Sequence, residues 1–361
     1  MLDHSDDPTD PGLSRQATVE RLPDRVERLP RVPSPLVDRF GRVHTDLRVS
    51  LTDRCNLRCT YCMPAEGLNW LPRAEVLTDD EVVRLVRIGT ERLGITEVRL
   101  TGGEPLLRRG LPGLVARLSA LDPAPELSIT TNGIGLARSA VALREAGLSR
   151  VNVSLDTLRP ERFAEITRRD RIKDVLAGLS AARDAGLNPV KINAVPVRGV
   201  NDDEIVDLTA FAAGHGYRMR FIESMPLDAQ GAWDRDRMVT AAEVLDRLGE
   251  RFELVPVGRQ DNAPAEEWRI AGTEALVGVI ASVTRPFCGT CDRVRLTADG
   301  QLRNCLFATE ESDLRSLLRR GADDATVEAA WRTSVGGKGP GHAIDSPEFR
   351  RPERPMSAIG G

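Results

Sequence analysis

The chain has 361 residues, long enough for a large first domain and a smaller second one. Its 50 Lys and Arg against 54 Asp and Glu give a net charge of -4, so no global field favours nucleic acid or a membrane surface, and an anionic ligand has to be held by local arginines. No apolar run nears the roughly 18 residues of a membrane span and the N-terminus lacks a secretory hydrophobic core, which reads as a cytoplasmic protein; there, six cysteines are metal ligands or reactive thiols in preference to disulfides.

Residues 1–37 mix Asp, Arg and Pro with isolated leucines and show no sustained period, which predicts a disordered or loosely docked extension. From "DLRVSL" onward, β-branched runs at 47–51, 97–101, 127–131, 151–155, 190–197 and 218–223 alternate with helical periods near 79–93, 111–120, 136–146, 172–185 and 202–213. Six strands with helices between them are the order of an α/β fold, a parallel barrel or open sheet over 38–235, whose chemistry lies at the C-terminal strand ends. "TGGEP", "TTNG" and "SLD" stand at three of those ends. Over residues 236–333 the alternation gives way to one helical period at 240–248, strand-like runs at 252–257, 276–283, 293–297 and 301–306, then helices near 312–320 and 325–333, an α+β appendage. The Gly- and Pro-rich residues 334–361 predict an extended tail.

"CNLRCTYC" offers Cys55, Cys59 and Cys62 to one centre. Structural zinc takes four N or S ligands, and the chain's four histidines do not stand at the usual zinc spacings from these cysteines. A cubane [4Fe-4S] cluster on three thiolates leaves one iron open for a substrate or cofactor. Cys288, Cys291 and Cys305 form a second set of three, so all six cysteines fit two such clusters. Between the members of that set, "DRVRL" places Arg293 and Arg295 on one face of a strand, and paired guanidinium forks suit phosphate oxygens. Paired glycines in "TGGEP" let backbone approach a charged ligand, with Glu104 or nearby carbonyls able to meet an ammonium.

"CNLRCTYC" with "TGGEP" resembles the radical S-adenosylmethionine enzymes. "FGRVHTDLRVSLTDRCNLRCTYCMP", "VRLTGGEPLLR", "TTNG", "VNVSLDTL", "KIN", "RFIE", "FCGTCDRVRLTADGQLRNCLF" and the terminal "IGG" narrow this to the GTP 3',8-cyclase family of molybdenum cofactor biosynthesis, from about residue 36 to the end. The resemblance implies an incomplete parallel (β/α)6 barrel with a C-terminal α+β domain carrying a second cluster. It implies two [4Fe-4S] clusters on the six cysteines and an S-adenosylmethionine site with Tyr61, Gly103, Ser154 and Met225. It implies a GTP site with Arg48, Arg99, Thr130 and Lys191, triphosphate on the segment Arg293, Val294 and Arg295, and guanine on the open iron of the second cluster. It assigns Arg48, Arg99, Arg220, Gly360 and Gly361 to catalysis, with the tail ending in the active site. The implied reaction takes hydrogen from the ribose 3' carbon, which then attacks guanine C8. An electron donor, a downstream cyclic pyranopterin monophosphate synthase, and a monomer or homodimer complete the expectation. No Walker spacing is present, "GGKGPG" included, so GTP is expected as substrate in place of P-loop hydrolysis. Alternatives from other classes are a radical enzyme with an auxiliary cluster and another substrate, an iron–sulfur sensor, and a zinc-stabilised module.

Overall fold

In the computed structural model, which describes residues 33–347 and 349–360, each apolar run flanked by turn residues becomes a strand. β1 (Asp46–Ser50), β2 (Glu97–Thr101), β3 (Glu126–Thr131), β4 (Arg150–Ser154), β5 (Val190–Ala194) and β6 (Arg218–Ile222) pair in parallel in chain order. α1 (Asp79–Leu93), α2 (Leu111–Ser119), α3 (Leu136–Glu145), α4 (Pro160–Thr167), α5 (Ile172–Asp184) and α6 (Ile205–His215) connect them. α1 shows how local chemistry sets an element. Thr78 Oγ1 accepts from the Glu81 N–H while Glu81 returns a carboxylate to the Thr78 N–H, and Gly94, at φ 75°, ends the helix in the left-handed region.

Strand alternation sorts the side chains. Leu47, Val49, Leu100, Ile129, Val153, Ile192 and Phe221 enter one buried cluster with helix residues such as Leu85, Ile88 and Leu114, each such burial contributing about 1.5–3 kcal/mol. The alternate positions Arg48, Arg99, Thr130, Lys191 and Arg220 belong to the opposite face.

The last third extends the same sheet. After α7 (Ala241–Gly249), β7 (Leu254–Arg259), β8 (Glu266–Ile270) and β9 (Leu276–Ile280) form an antiparallel set whose β9 pairs parallel with β6. β10 (Arg293–Leu296) pairs parallel with β1 and leads antiparallel into β11 (Gln301–Arg303) and β12 (Ser312–Asp313). The result is a 12-stranded, mostly parallel sheet. The change of sequence pattern after 235 is therefore not a break in the sheet. Laid flat, β10 and β6 would be six strand spacings, about 29 Å, apart. Arg293 and Arg220 nonetheless line one cavity, so the sheet curls into an incomplete barrel with a polar interior.

α8 (Leu314–Arg319), α9 (Asp324–Gly336) and α10 (Met356–Ile359) complete the described chain. Four elements differ from expectation. α4 has eight residues, too few for a clear period; β8, "EEWRI", is too charged to read as a strand; β12 occupies the start of an expected helix; and α10 is a single turn in a stretch expected to be extended. Residues 1–32 of the expected loose extension lie outside the described residues. Its last members are docked: Leu36 is fully buried, its N–H donates to the Leu93 carbonyl at 3.0 Å, and its carbonyl accepts from the His44 N–H at 2.8 Å.

Candidate active site

The loop after β1 carries Cys55, Cys59 and Cys62. The Cys62 and Met63 N–H groups both turn back onto the Cys59 carbonyl, at 2.9 and 3.0 Å, and Arg58 and Thr60 donate to the carbonyls of Thr167 and Ile166 at the end of α4. Beside the loop, Gly102 (φ 135°) and Gly103 leave no room for a side chain: a Cβ would lie 2.3 Å from the Thr52 carbonyl oxygen at Gly102 and 2.3 Å from that of Arg54 at Gly103. Glu104 is buried, and burial raises its carboxyl to about 7. Its oxygens accept from Thr131 Oγ1 (2.6 Å), the Asn132 N–H (2.7 Å) and the Leu106 N–H (3.0 Å), so it ties the glycine loop to the end of β3.

Tyr61 donates to Asp156 Oδ2 at 2.6 Å, and Asp156 Oδ1 accepts from the Val195 N–H at 2.8 Å. Tyr61, Cys62, Glu223, Met225, Asp228 and Trp233 line a first cavity here. Gly103 and Ser154 are not among its lining residues: Gly103 packs under the cysteine loop, and Ser154 stands beside Asn193 in register. Burial pushes the three thiols up, Cys62 to about 12 with Cys55 adding to the shift, and Cys59 well above the ordinary thiol range with Cys62 and Asp156 adding.

A second cavity gathers Arg48, Arg99, Thr130, Arg220, Arg293 and Arg295 with Cys288, Cys291 and Cys305. Register explains the grouping, since Arg295, Arg48 and Arg99 stand abreast on β10, β1 and β2. Among the described residues, Arg48 Nε, Arg220 Nε and Arg293 Nη2 are buried without a hydrogen-bond partner. Asp46 and Glu267 offset part of the charge, each 3.9 Å from a guanidinium nitrogen, of Arg48 and Arg220 respectively. Burial raises Asp46, yet Arg99, Arg48, Arg293 and Arg295 together hold it below its usual range. Burial and then Arg99 depress Arg48, and burial followed by Arg220 brings Lys191 down to about 7. Crowded, desolvated, partly unpartnered cations form a site that an oligo-anion would relieve. Lys191 and Val294 do not line this cavity: Lys191 stands between Asn152 and Arg218 in register, and Val294 is fully buried in the apolar core.

Val195, Met225 and Met356 line both cavities, so the two meet at one wall. The tail reaches it. The Met356 N–H donates to the Leu227 carbonyl, Ser50 Oγ donates to the Ile359 carbonyl at 3.0 Å, and Arg295 Nη1 donates to the Gly360 carbonyl. Gly360 has φ 83°, and a Cβ there would stand 2.3 Å from Ser50 Oγ. Gly361 lies outside the described residues.

Four participants go unmarked in the sequence patterns above. Asn193 lines the second cavity with a buried, unpartnered Oδ1, a place that its alternation with Lys191 in "KIN" would have revealed. Phe287 lies under the Arg293 guanidinium, 4.7 Å from ring centroid to Cζ. Lys338 and His44 meet behind Cys291; burial and then the Lys338 charge depress His44 to about 4, so its ring is neutral near pH 7. Around the second triad, burial raises Cys288 and Cys305, but Arg293 and Lys338 outweigh burial at Cys291 and bring it down to about 7.

Among the described residues, no three His, Cys, Asp or Glu side chains converge on a single-ion site. A cubane puts its thiolates on different irons and needs no such convergence, and soft thiolate sets suit it. The donor chemistry of both triads, the glycine cradle and the carboxylates beside the first cavity therefore fit two clusters and a cationic cofactor.

Comparison with known proteins agrees with the geometry. The Radical SAM superfamily model matches residues 49–212 and the Molybdenum Cofactor Synthesis C model matches 217–344. A solved structure of Streptococcus suis SuiB bound to S-adenosylmethionine superposes with a TM-score of 0.55 at 15% identity, covering 83% of this chain and 67% of that one, which shows the fold. Fold and site thus define a radical S-adenosylmethionine enzyme. A Streptomyces coelicolor protein named GTP 3',8-cyclase is 62% identical over 90% of this chain and 96% of its own length, and one of the same name from Mycolicibacterium smegmatis is 59% identical over 91% and 92%. The chain belongs to the GTP 3',8-cyclase family.

Proposed function

We propose that this chain converts GTP to (8S)-3',8-cyclo-7,8-dihydroguanosine 5'-triphosphate, the first step of molybdenum cofactor biosynthesis. The observation that carries the reading is the pair of cavities meeting at Val195, Met225 and Met356, one bordered by Cys62 of the first triad and carboxylates, the other by guanidiniums and all three cysteines of the second triad. When bound, S-adenosylmethionine and the N-terminal cluster supply a 5'-deoxyadenosyl radical, and the C-terminal cluster an open iron for guanine.

The protein's part is holding, aligning and drying. Tyr61, tethered by Asp156, and Met225 border the adenosyl portion, while Gly103 keeps backbone close to the methionine portion and Ser154 supports it from β4. Arg293, Arg295, Arg48 and Arg99 take the triphosphate, with Val294 fixing their strand to the core and Lys191 adding charge from β5. Thr130 and Arg220 border the ribose and base. Anchoring the triphosphate fixes ribose C3' relative to the first cavity, and such alignment is worth far more than any single contact. Met225 and Met356 exclude water where a carbon radical has to survive. Gly360 closes the site from the tail, seated where a side chain cannot fit, and a catalytic role for Gly361 belongs to the same reading.

An electron donor, hand-over to cyclic pyranopterin monophosphate synthase, a cytoplasmic setting and a monomeric or homodimeric state belong to the same reading. None of the described helices is long and apolar enough to cross a membrane. The test is anaerobic incubation of reduced, reconstituted protein with S-adenosylmethionine and each nucleoside triphosphate, followed by mass spectrometry. The cyclised product is expected from GTP and not from ATP, CTP or UTP; cofactor cleavage without that product overturns the proposal.

A further inference from the structure

Lys338 lies in the "GGKGPG" stretch, which the reaction above does not use. Its side chain is buried, 2% exposed. Nζ donates to the Arg293 carbonyl at 2.8 Å and stands 3.5 Å from Cys291 Sγ, from the Cys291 carbonyl and from His44 Nδ1. Behind it, His44 Nε2 lies 3.1 Å from Asp38 Oδ2, and that oxygen also accepts from Arg42 Nε at 2.5 Å. This fixes the imidazole: Nε2–H donates to Asp38, and Nδ1 accepts from the ammonium. Arg42 then reaches back, donating to the carbonyls of Cys288 and Gly339, both at 2.7 Å. Asp38, Arg42 and His44 thus position a residue almost 300 places later in the chain against a cysteine of the second triad.

A buried ammonium is costly unless a negative partner balances it, and the groups supporting it here are neutral apart from the Cys291 sulfur. Hydrogen bonds and net charge at ligating sulfurs are among the levers by which a protein sets a cluster's potential. We propose that Lys338 is a positioning residue that raises the reduction potential of the C-terminal cluster: its positive charge beside Cys291 favours the more negative, reduced form, and the Asp38–His44 pair holds it in place. This rests on the reading that the second triad carries a cluster, which the iron and sulfide content of the unaltered protein tests separately.

The experiment is an anaerobic redox titration of the reconstituted full-length protein followed by electron paramagnetic resonance, with the N-terminal cluster as internal reference. Lys338→Met and Lys338→Gln should both shift the C-terminal midpoint to more negative potential while the N-terminal one stays put. Lys338→Arg, which keeps the charge, should leave the C-terminal midpoint close to its native value, and His44→Ala should give a smaller shift in the same direction as the neutral variants. A native C-terminal midpoint in either neutral variant, at full iron content, overturns the proposal. So does loss of C-terminal iron from both neutral variants with the N-terminal cluster retained, because Lys338 would then serve assembly and not potential.

Discussion

Around the first triad, Glu104 acts on Cys55, Asp156 on Cys59 and Asp228 on Cys62, each pushing a thiol further up. Around the second, Arg293 and Lys338 outweigh burial at Cys291. The two sets offer the same three sulfurs to metal, yet one borders a cavity lined by carboxylates and the other a cavity lined by guanidiniums. The sign of the surroundings thus differs where the sulfur sets do not: carboxylates beside the first suit a cationic ligand, and guanidiniums beside the second suit an anionic one.

The largest effect should come from the cysteines themselves. Changing Cys55, Cys59 or Cys62 to Ala should abolish S-adenosylmethionine cleavage, whereas changing Cys288, Cys291 or Cys305 should leave cleavage running without cyclised product. Measuring 5'-deoxyadenosine and product in one reaction checks this, and equal loss of cleavage from both sets breaks the comparison. Next, Gly360→Ala brings a methyl against Ser50 Oγ and Thr101, which displaces the tail. Product yield should fall about 100-fold, as expected for a misplaced reacting geometry, with the iron content of both clusters unchanged.

Smaller effects sharpen the contrast on the cationic side. Arg293→Ala and Arg295→Ala should each weaken GTP binding by roughly 2–5 kcal/mol in calorimetric titration, the range for stranding a buried charge partner. Arg295→Ala should cost product beyond its affinity loss, since that guanidinium also holds the Gly360 carbonyl. The smallest effect is in metal-free protein treated with iodoacetamide. Thiolate, the reactive form, grows as pH rises through each pKa, so Cys291 alkylation should level off above about pH 7 while Cys62 alkylation keeps rising toward about pH 12. Lys338→Met should slow Cys291 at pH 7 roughly threefold to tenfold, read by peptide mass spectrometry. Identical pH profiles at the two cysteines would remove the electrostatic distinction.

Much of this architecture was legible because it is local. Alternating runs such as "DLRVS" and "VNVS" mark strands and, through period two, put Arg48 and Asn152 on one face and Val49 and Val153 on the other. Closely spaced cysteines carry their own meaning. What stayed hidden depends on pairing across the chain: "EEWRI" becomes β8 only because β7 and β9 flank it, and "MSAI" becomes a helical turn because Ile359 is buried beside Leu227 and Phe307. His44 and Lys338 have no sequence period linking them, and their meeting is a product of β1 lying next to β10.

That β1–β10 pairing has a consequence for how the protein is made. Strands β1 to β6 can associate as they leave the ribosome, each with a neighbour already present, but the free edge of β1 waits for residues 293–296, and β6 waits for 276–280. Until then the arginine-lined interior is open to solvent and the first cysteine loop has no tail beside it. The arginine-lined interior and the surroundings of the first cysteine loop are therefore completed last, by residues from the final third of the chain that cover both edges of the sheet.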